Sequence, residues 1–255
     1  MKTPLFRPQT EWIPPTDFPD LSKYDEIAID LETKDPNLNE RMGSGSVVGV
    51  GDVVGISLAT HDWCAYYPIA HEGGGNMDRK MVLKWLQDQM NTDSIKIFHN
   101  AMYDICWLRS AGLIIKGKIV DTMIAASLID ENRLSYQLNT LSKHYVGIGK
   151  DESVLNAAAK EYGVDPKKEL WKLPAMFVGQ YSVRHGLHSL MRDRWSRRTS
   201  VKSLSVGVFG SRARMKLPCP RIEMKRQPRS PSGSSALTGR FGQPKAPRTS
   251  SPSSI

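Results

Sequence analysis

The stretch "YDEIAIDLET", residues 24–33, most constrains how this chain can fold. Its residues Ile27, Ala28 and Ile29 follow one another without a polar break, which is typical of a β-strand buried on both faces. The next runs, "VVGISLAT" and "CAYYPIAH", are rich in Val, Ile and Tyr, and a turn around His61–Asp62 joins them. These runs predict two more strands with a hairpin-length connection.

Helices and strands alternate in the rest of the chain. The segment "DRKMVLKWLQDQM" (78–90) has apolar residues at helical spacing and Asp78 as its cap, whereas "IKIFH" is a short strand that leads into a helix capped by Asn100. A further strand and helix follow in "KIVDTMIAASLID". The later segments predicted to be helical are "SYQLNTLSKHYVG", "ESVLNAAAKEYG" and "PAMFVGQYSVR". This pattern predicts an α/β fold with a mixed sheet flanked by helices.

Charge and composition divide the 255 residues unevenly. Residues 1–23 hold five prolines and are expected to be an extended lead-in, and 24–195 are expected to form one domain. Residues 1–185 carry 20 Lys and Arg against 24 Asp and Glu, whereas 186–255 carry 15 against 2. That last part also holds 14 Ser and 7 Pro. We therefore expect 196–255 to be a disordered basic tail, to which any binding through bulk charge would belong.

The cysteines and the apolar runs of the sequence exclude several classes of protein. The three cysteines, Cys64, Cys106 and Cys219, are odd in number and lack metal-like spacing, which indicates a reducing interior. The N-terminus "MKTPLFRPQTEWIPP" has no apolar core of a signal peptide, and no apolar run approaches the ~18 residues of a spanning helix. We expect a cytoplasmic protein without a membrane partner.

Three acidic residues are candidates for binding a cation. Strand alternation puts Asp30 and Glu32 on one face, and two adjacent carboxylates repel each other unless they hold something positive. Asp104 lies one turn into the helix that follows "IKIFH", so it would face the same edge if strands 24–33 and 95–98 are neighbours. The alternatives are that the pair marks the solvated end of a strand and that Asp104 matches a helix dipole.

Four motifs in register carry a family resemblance: "IDLET", "HNAMYD", "VDTMIAASLI" and "GQYSVR". In their order and spacing, residues from about 20 to 185 resemble the DnaQ-like (DEDD) 3′–5′ exonucleases of the tyrosine-bearing branch. The resemblance is closest to the proofreading domain of family A DNA polymerases, particularly phage-type ones. It implies a ribonuclease-H-like fold in which four acids hold two divalent cations over the scissile phosphate, and a protein of a bacterial or phage-infected cell.

The resemblance also implies roles for individual residues. Asp30, Glu32 and Asp104 correspond to the first three metal-binding acids, and Tyr181 to the tyrosine that orients the attacking water. The expected cofactors are two Mg²⁺ ions, with Mn²⁺ as an alternative. Five residues are expected to contact the substrate strand, by stacking or through its backbone: Thr33, His99, Asn100, Met102 and Tyr103.

Three other residues are expected to be structural. Asp121 begins a family-typical "DT" helix, and the simpler interpretation of its role is helix capping. Trp85 and Trp107 are expected to lie in the core.

The fourth acid of the family lies four residues after the tyrosine, and here that position is His185. An imidazole can still ligate a metal, but it removes one negative charge and is a poor ligand for Mg²⁺. The alternative interpretation, which we prefer at this point, is that the residues after this position are the product of a gene read out of frame. The chain would then be an incomplete exonuclease domain, without the polymerase domain that is normally fused downstream.

The sequence therefore predicts a metal-dependent 3′–5′ exodeoxyribonuclease that edits single-stranded or frayed DNA at a primer 3′ end. One alternative within the class is a ribonuclease D-like enzyme that trims RNA. Another is a non-catalytic fold that binds single strands, which His185 favours. The Arg-rich tail supplies a last alternative, a disordered nucleic-acid binder.

Overall fold

The structure, a computed structural model, describes residues 10–40, 42–147 and 149–183. The predicted residue His185 and the predicted tail 196–255 lie outside these ranges.

A five-stranded mixed sheet forms the centre of the fold. Its strands in chain order are β1 (Glu26–Lys34), β2 (Asp52–Ala59), β3 (Cys64–Pro68), β4 (Ile95–Phe98) and β5 (Ile119–Asp121). The spatial order is β3-β2-β1-β4-β5. The first three strands pair antiparallel, whereas β1 with β4 and β4 with β5 pair parallel. The predicted mixed sheet is confirmed, and β1 lies at its middle.

Helices cover this sheet. They are α1 (Pro36–Asn39), α2 (Arg79–Met90), α3 (Ala101–Ser110), α4 (Thr122–Ile129), α5 (Leu138–Tyr145) and α6 (Ser153–Tyr162). A seventh, α7, is helical over 175–183. Short 3₁₀ turns span Gly45–Val47 and Leu170–Lys172. Asp78 caps α2 as predicted, because its carboxylate accepts the Met81 N–H at 2.8 Å. None of the helices described has the length and apolar character that crossing a membrane requires.

The core explains why β1 is apolar on both faces. Ile27 and Ile29 pack with the α2 and α3 side chains, including Trp85 and Trp107, on one side of the sheet. Ala28 packs on the other side, in a separate small cluster. All three β1 residues are fully buried, as the unbroken apolar run predicts. The two tryptophans are buried as well, which confirms the prediction that they are core residues.

The segment before β1 also packs on the body. Leu21 is fully buried, and the Phe18 ring stacks on Tyr67 with centroids 5.6 Å apart. Trp12 lies so close to α7 that a Cβ on Gly179 would stand 2.2 Å from its indole. The glycine at this position thus lets the N-terminal segment approach the helix that carries Tyr181.

Candidate active site

Asp30 and Glu32 project from the last part of β1. Both are half-buried, and they flank the buried Leu31, as strand alternation requires. In the antiparallel ladder Asp30 pairs with Ser57 and Glu32 with Gly55, and an irregularity in the register follows Glu32. The two acidic side chains are therefore fixed by the central strand of the sheet.

Asp104 comes to the same place from α3. Its side chain is buried, with 4% of the residue exposed, and the Leu31 N–H donates to its carboxylate. Burial raises the pKa of Asp104 well above its usual range, and the carboxylates of Asp30, Glu32 and Asp121 raise it further. We call Asp30, Glu32 and Asp104 the carboxylate cluster. The negative charge of this cluster is unfavourable because it is partly buried and its members repel one another. A bound cation would compensate for that charge.

The chemistry of these side chains fits a hard divalent cation. Carboxylate oxygens are the ligands that Mg²⁺ prefers, and a buried acid with a raised pKa gains from a positive ion beside it. Within the ranges the structure describes, no three His, Cys, Asp or Glu side chains are arranged to enclose an ion. The predicted metal ligands therefore stay a prediction that rests on the carboxylate cluster.

The start of α3 differs from the expectation that Asn100 caps it. Asn100 has a left-handed backbone, with φ of 72°, and its side chain makes no capping hydrogen bond. Asp121 caps the helix instead, because its carboxylate accepts the Asn100 N–H at 3.1 Å and the Ala101 N–H at 2.8 Å. It also accepts the Met123 N–H at the start of α4. The prediction that Asp121 is a cap is confirmed, and it serves two helices.

The residues predicted to contact a substrate strand differ in their hydrogen bonding and in their exposure. Thr33 donates to the Tyr103 hydroxyl at 2.6 Å, and that hydroxyl donates to Asp35 at 3.1 Å. Burial raises the pKa of Tyr103 to about 12. Met102 is 74% exposed on the same helix and open to contact, whereas the His99 ring lies 3.0 Å from the Thr122 hydroxyl.

Asp35 is a residue that the sequence reading missed. It is buried, and one of its oxygens accepts both the Leu38 and Gly45 N–H groups. A Cβ on Gly45 would lie 2.9 Å from this carboxylate and 2.0 Å from the Val50 carbonyl oxygen. Asp35 thus ties the Gly-rich loop after β1 to Tyr103 and Thr33.

Helix α7 brings Tyr181 near the carboxylate cluster, since the charges of Glu32 and Asp30 act on its phenol. The next residue, Ser182, donates to Glu32 at 2.7 Å. Burial raises the pKa of Tyr181, and the charges of Glu32 and Asp30 raise it further, so the phenol stays neutral. Ser182 was not predicted, although its place beside Tyr181 in the motif is a signal that could have found it.

A lysine that the sequence reading also missed lies in this site. The Lys150 ammonium stands 5.5 Å from the centroid of the Tyr181 ring and interacts electrostatically with Asp30 and Glu32. Burial lowers the pKa of Lys150, and the neighbouring carboxylates oppose that change. Sequence spacing gives no signal for this contact, since the residue belongs to none of the recognised motifs.

A second buried polar arrangement lies beside the cluster and begins on β3. The Tyr66 hydroxyl is 2.6 Å from His71 Nε2, and His71 Nδ1 is 3.0 Å from the Leu173 carbonyl. Because a carbonyl only accepts, Nδ1 carries the proton and Tyr66 donates to Nε2. The hydroxyl lies over Gly55, where a Cβ would stand 2.0 Å from it. We call these two residues the Tyr66–His71 pair.

Comparisons with known proteins identify the family of this chain. A family model described as "3′-5′ exonuclease", of the DNA polymerase A type, matches residues 18–161. A DNA-directed DNA polymerase of Pseudomonas phage M6 is 34% identical over 244 residues, which cover 88% of this chain and 37% of the relative. The DNA polymerase DpoZ of Acinetobacter phage SH-Ab 15497 is 28% identical over 171 residues, covering 65% of this chain and 25% of the relative.

Among solved structures, the Aedes aegypti Nibbler EXO domain is 14% identical, with a TM-score of 0.49, and the match covers 73% of this chain and 83% of that one.

The chain spans well under half the length of the two phage relatives. Since 88% of 255 residues is more than the first 185, the match to the phage M6 protein extends past residue 185.

Proposed function

We propose an editing function for this chain, which belongs to the 3′–5′ exonuclease family of the DNA polymerase A type. The chain would remove nucleotides from the 3′ end of single-stranded or frayed DNA. The observation that carries this proposal is the buried Asp104 beside Asp30 and Glu32. Three carboxylates concentrated beside the central strand of the sheet fit divalent cations, on which this family depends.

Asp30, Glu32 and Asp104 would hold two Mg²⁺ ions. When bound, such ions supply a nucleophilic water at neutral pH and stabilise the leaving 3′ oxygen. The chain's own groups set the geometry: Ser182 fixes Glu32, and the Leu31 N–H fixes Asp104. The neutral Tyr181 hydroxyl would orient the attacking water by a hydrogen bond.

The substrate strand would lie along the start of α3. We propose that Met102, which is exposed, stacks against a base, since stacking tolerates any base identity. Thr33, His99, Asn100 and Tyr103 would contact the same strand. A polymerase domain is the proposed partner, because the phage relatives are DNA polymerases of which the chain matches a part.

The test is a nuclease assay on a 5′-labelled oligodeoxynucleotide with MgCl₂. We expect products shortened one nucleotide at a time from the 3′ end, and none with EDTA or with a blocked 3′ end. Asp104→Asn should abolish the products, whereas Asp88→Asn, which removes an exposed carboxylate from α2, should not.

Equal products from the wild type and Asp104→Asn would overturn the assignment of the site. Binding of the oligonucleotide without cleavage would indicate a non-catalytic single-strand binder instead. The same assay on an RNA of identical sequence separates the DNA-editing function from RNA trimming, which would show as faster RNA hydrolysis.

His185 stands where the family has its fourth acid, and His185→Asp should raise the rate in Mg²⁺. The variant restores a carboxylate ligand and one unit of negative charge, and a gain of ~1.4 kcal/mol is already tenfold. The measurement is the single-turnover rate of both proteins in Mg²⁺ and in Mn²⁺. Equal rates would mean that the fourth ligand is unnecessary or comes from elsewhere, with Asp193 as the nearest acid in sequence.

A further inference from the structure

The loop between α5 and α6 holds Lys150 in a defined position. The Lys150 N–H donates to the Asn139 side chain on α5 at 2.9 Å. Gly149 packs so closely on the same helix that a Cβ there would lie 2.6 Å from Lys143 Cε and 3.1 Å from Asn139 Oδ1. The backbone that carries Lys150 is therefore fixed against α5.

From this backbone the side chain reaches the carboxylate cluster. Its ammonium lies 5.5 Å from the Tyr181 ring centroid and is attracted by Asp30 and Glu32, as well as by Glu152. Other lysines near the site are placed differently, since both Lys34 and Lys172 lie over the Trp171 ring. Lys150 thus brings a positive charge to two of the acids that the proposed chemistry uses.

A positive charge here matters because the substrate is an anion. A phosphodiester that approaches Asp30, Glu32 and Asp104 is repelled by three carboxylates, and a lysine ammonium beside them offers three N–H donors to phosphate oxygens. The partly buried setting strengthens this attraction, since solvent screens it less than at the surface.

We propose that Lys150 is a phosphate-binding residue of this site, whose ammonium, held beside Asp30, Glu32 and the Tyr181 ring, contacts the phosphate of the 3′-terminal nucleotide. The inference rests on the proposed function and adds to it a residue outside the recognised motifs. It places the terminal phosphate between the carboxylate cluster and Tyr181, where the water that attacks it would be oriented.

The experiment measures binding of a fluorescently labelled tetrathymidylate to the full chain in EDTA, by anisotropy, over a series of salt concentrations. A short oligonucleotide is used because it carries few phosphates that the basic residues 186–255 could attract. Lys150→Met should weaken binding about tenfold and reduce the slope of log affinity against log salt by about 0.7, because one phosphate contact is lost. Lys150→Arg should keep most of the wild-type slope.

The matched control is Lys160→Met, which removes an exposed lysine from α6 and should leave affinity and slope unchanged. Wild-type affinity and slope in Lys150→Met would overturn the proposal. If Lys150→Met does not fold, as judged by urea unfolding, Lys150→Gln against Lys150→Arg gives the same comparison, with equal slopes as the contradicting result.

The two proposals fail separately. A wild type that shortens DNA from its 3′ end, together with a Lys150→Met variant that binds and cleaves normally, contradicts the role of Lys150 alone. A wild type that binds the tetranucleotide through Lys150 but shortens no DNA in Mg²⁺ contradicts the exonuclease function and leaves the phosphate contact in place.

Discussion

The carboxylate cluster, on β1 and α3, and the Tyr66–His71 pair, which begins on β3, are two polar groups that are built in opposite ways. In the cluster, burial and neighbouring like charges both raise the pKa of Asp104, so the folded state holds its charge at a cost. In the pair, each polar atom has a partner: Tyr66 donates to His71, and His71 donates to the Leu173 carbonyl. The two groups are close together, since Gly55 pairs with Glu32 in the β1–β2 ladder and lies under the Tyr66 hydroxyl.

The difference shows which polar groups serve binding and which serve the fold. A neutral, fully hydrogen-bonded pair stabilises the fold and joins β3 to the turn before α7. A cluster of like charges does not stabilise the fold by itself, and it gains stability only from a cation. Substitutions should therefore have contrasting effects in the two places.

The largest effect is expected at the cluster and on activity. Asp30→Asn should reduce the single-turnover rate of 3′ nucleotide release roughly 100- to 1,000-fold, because a lost metal ligand costs several kcal/mol of transition-state stabilisation. Its unfolding free energy in EDTA should change by no more than about 1 kcal/mol, since the variant loses an attraction to Lys150 and a repulsion from Asp104 together. A large loss of stability with normal activity would contradict this comparison.

The next effect concerns pH and the Tyr66–His71 pair. Burial lowers the pKa of His71 to about 4 from 6.5, and the residue is 3% exposed. The unfolded chain therefore binds a proton at His71 more strongly than the folded chain does. The contribution of His71 to the free energy of unfolding is fully present above pH 6.5 and is lost as the pH falls towards 4. The expected loss is about 3 kcal/mol.

Urea unfolding of the wild type and of His71→Gln at several pH values isolates this contribution. The difference in unfolding free energy between the two proteins should shrink as the pH falls through this window. A constant difference would show that His71 does not titrate with unfolding.

The smallest effect is expected for the hydroxyl of the pair. Tyr66→Phe removes one buried hydrogen bond and leaves His71 Nε2 without its donor, which should cost about 1–2 kcal/mol in urea unfolding. The exonuclease rate should change much less than in Asp30→Asn, because Tyr66 is proposed neither as a metal ligand nor as a substrate contact. A rate loss as large as that of Asp30→Asn would mean that the pair belongs to the site.

Much of the fold follows from local sequence patterns. The unbroken apolar run at Ile27–Ile29 indicates a central strand, and the structure places β1 between two neighbours. Asp30 and Glu32 are set by alternation along that strand, and Asp104 by its place one turn into α3. These predictions depend only on residues close to one another in the sequence.

What sequence reasoning missed depends on contacts between distant segments. Lys150 reaches the cluster because Asn139 fixes its loop, and Ser182 reaches Glu32 because α7 packs back on the sheet. Asp121, at the end of β5, caps α3, so the Asn100 side chain does not cap it as expected. Local periodicity carries no information on such pairings.

Whether the carboxylate cluster is held for a cation is tested by the unfolding free energies of the wild type and of Asp104→Asn, each measured in EDTA and in saturating MgCl₂. In EDTA the variant should be more stable by about 1 kcal/mol or more, because a costly buried carboxylate is gone. Saturating Mg²⁺ should stabilise the wild type by about 1–3 kcal/mol and the variant by much less. Equal stabilisation of both proteins by Mg²⁺, or a variant less stable than the wild type in EDTA, would contradict the account.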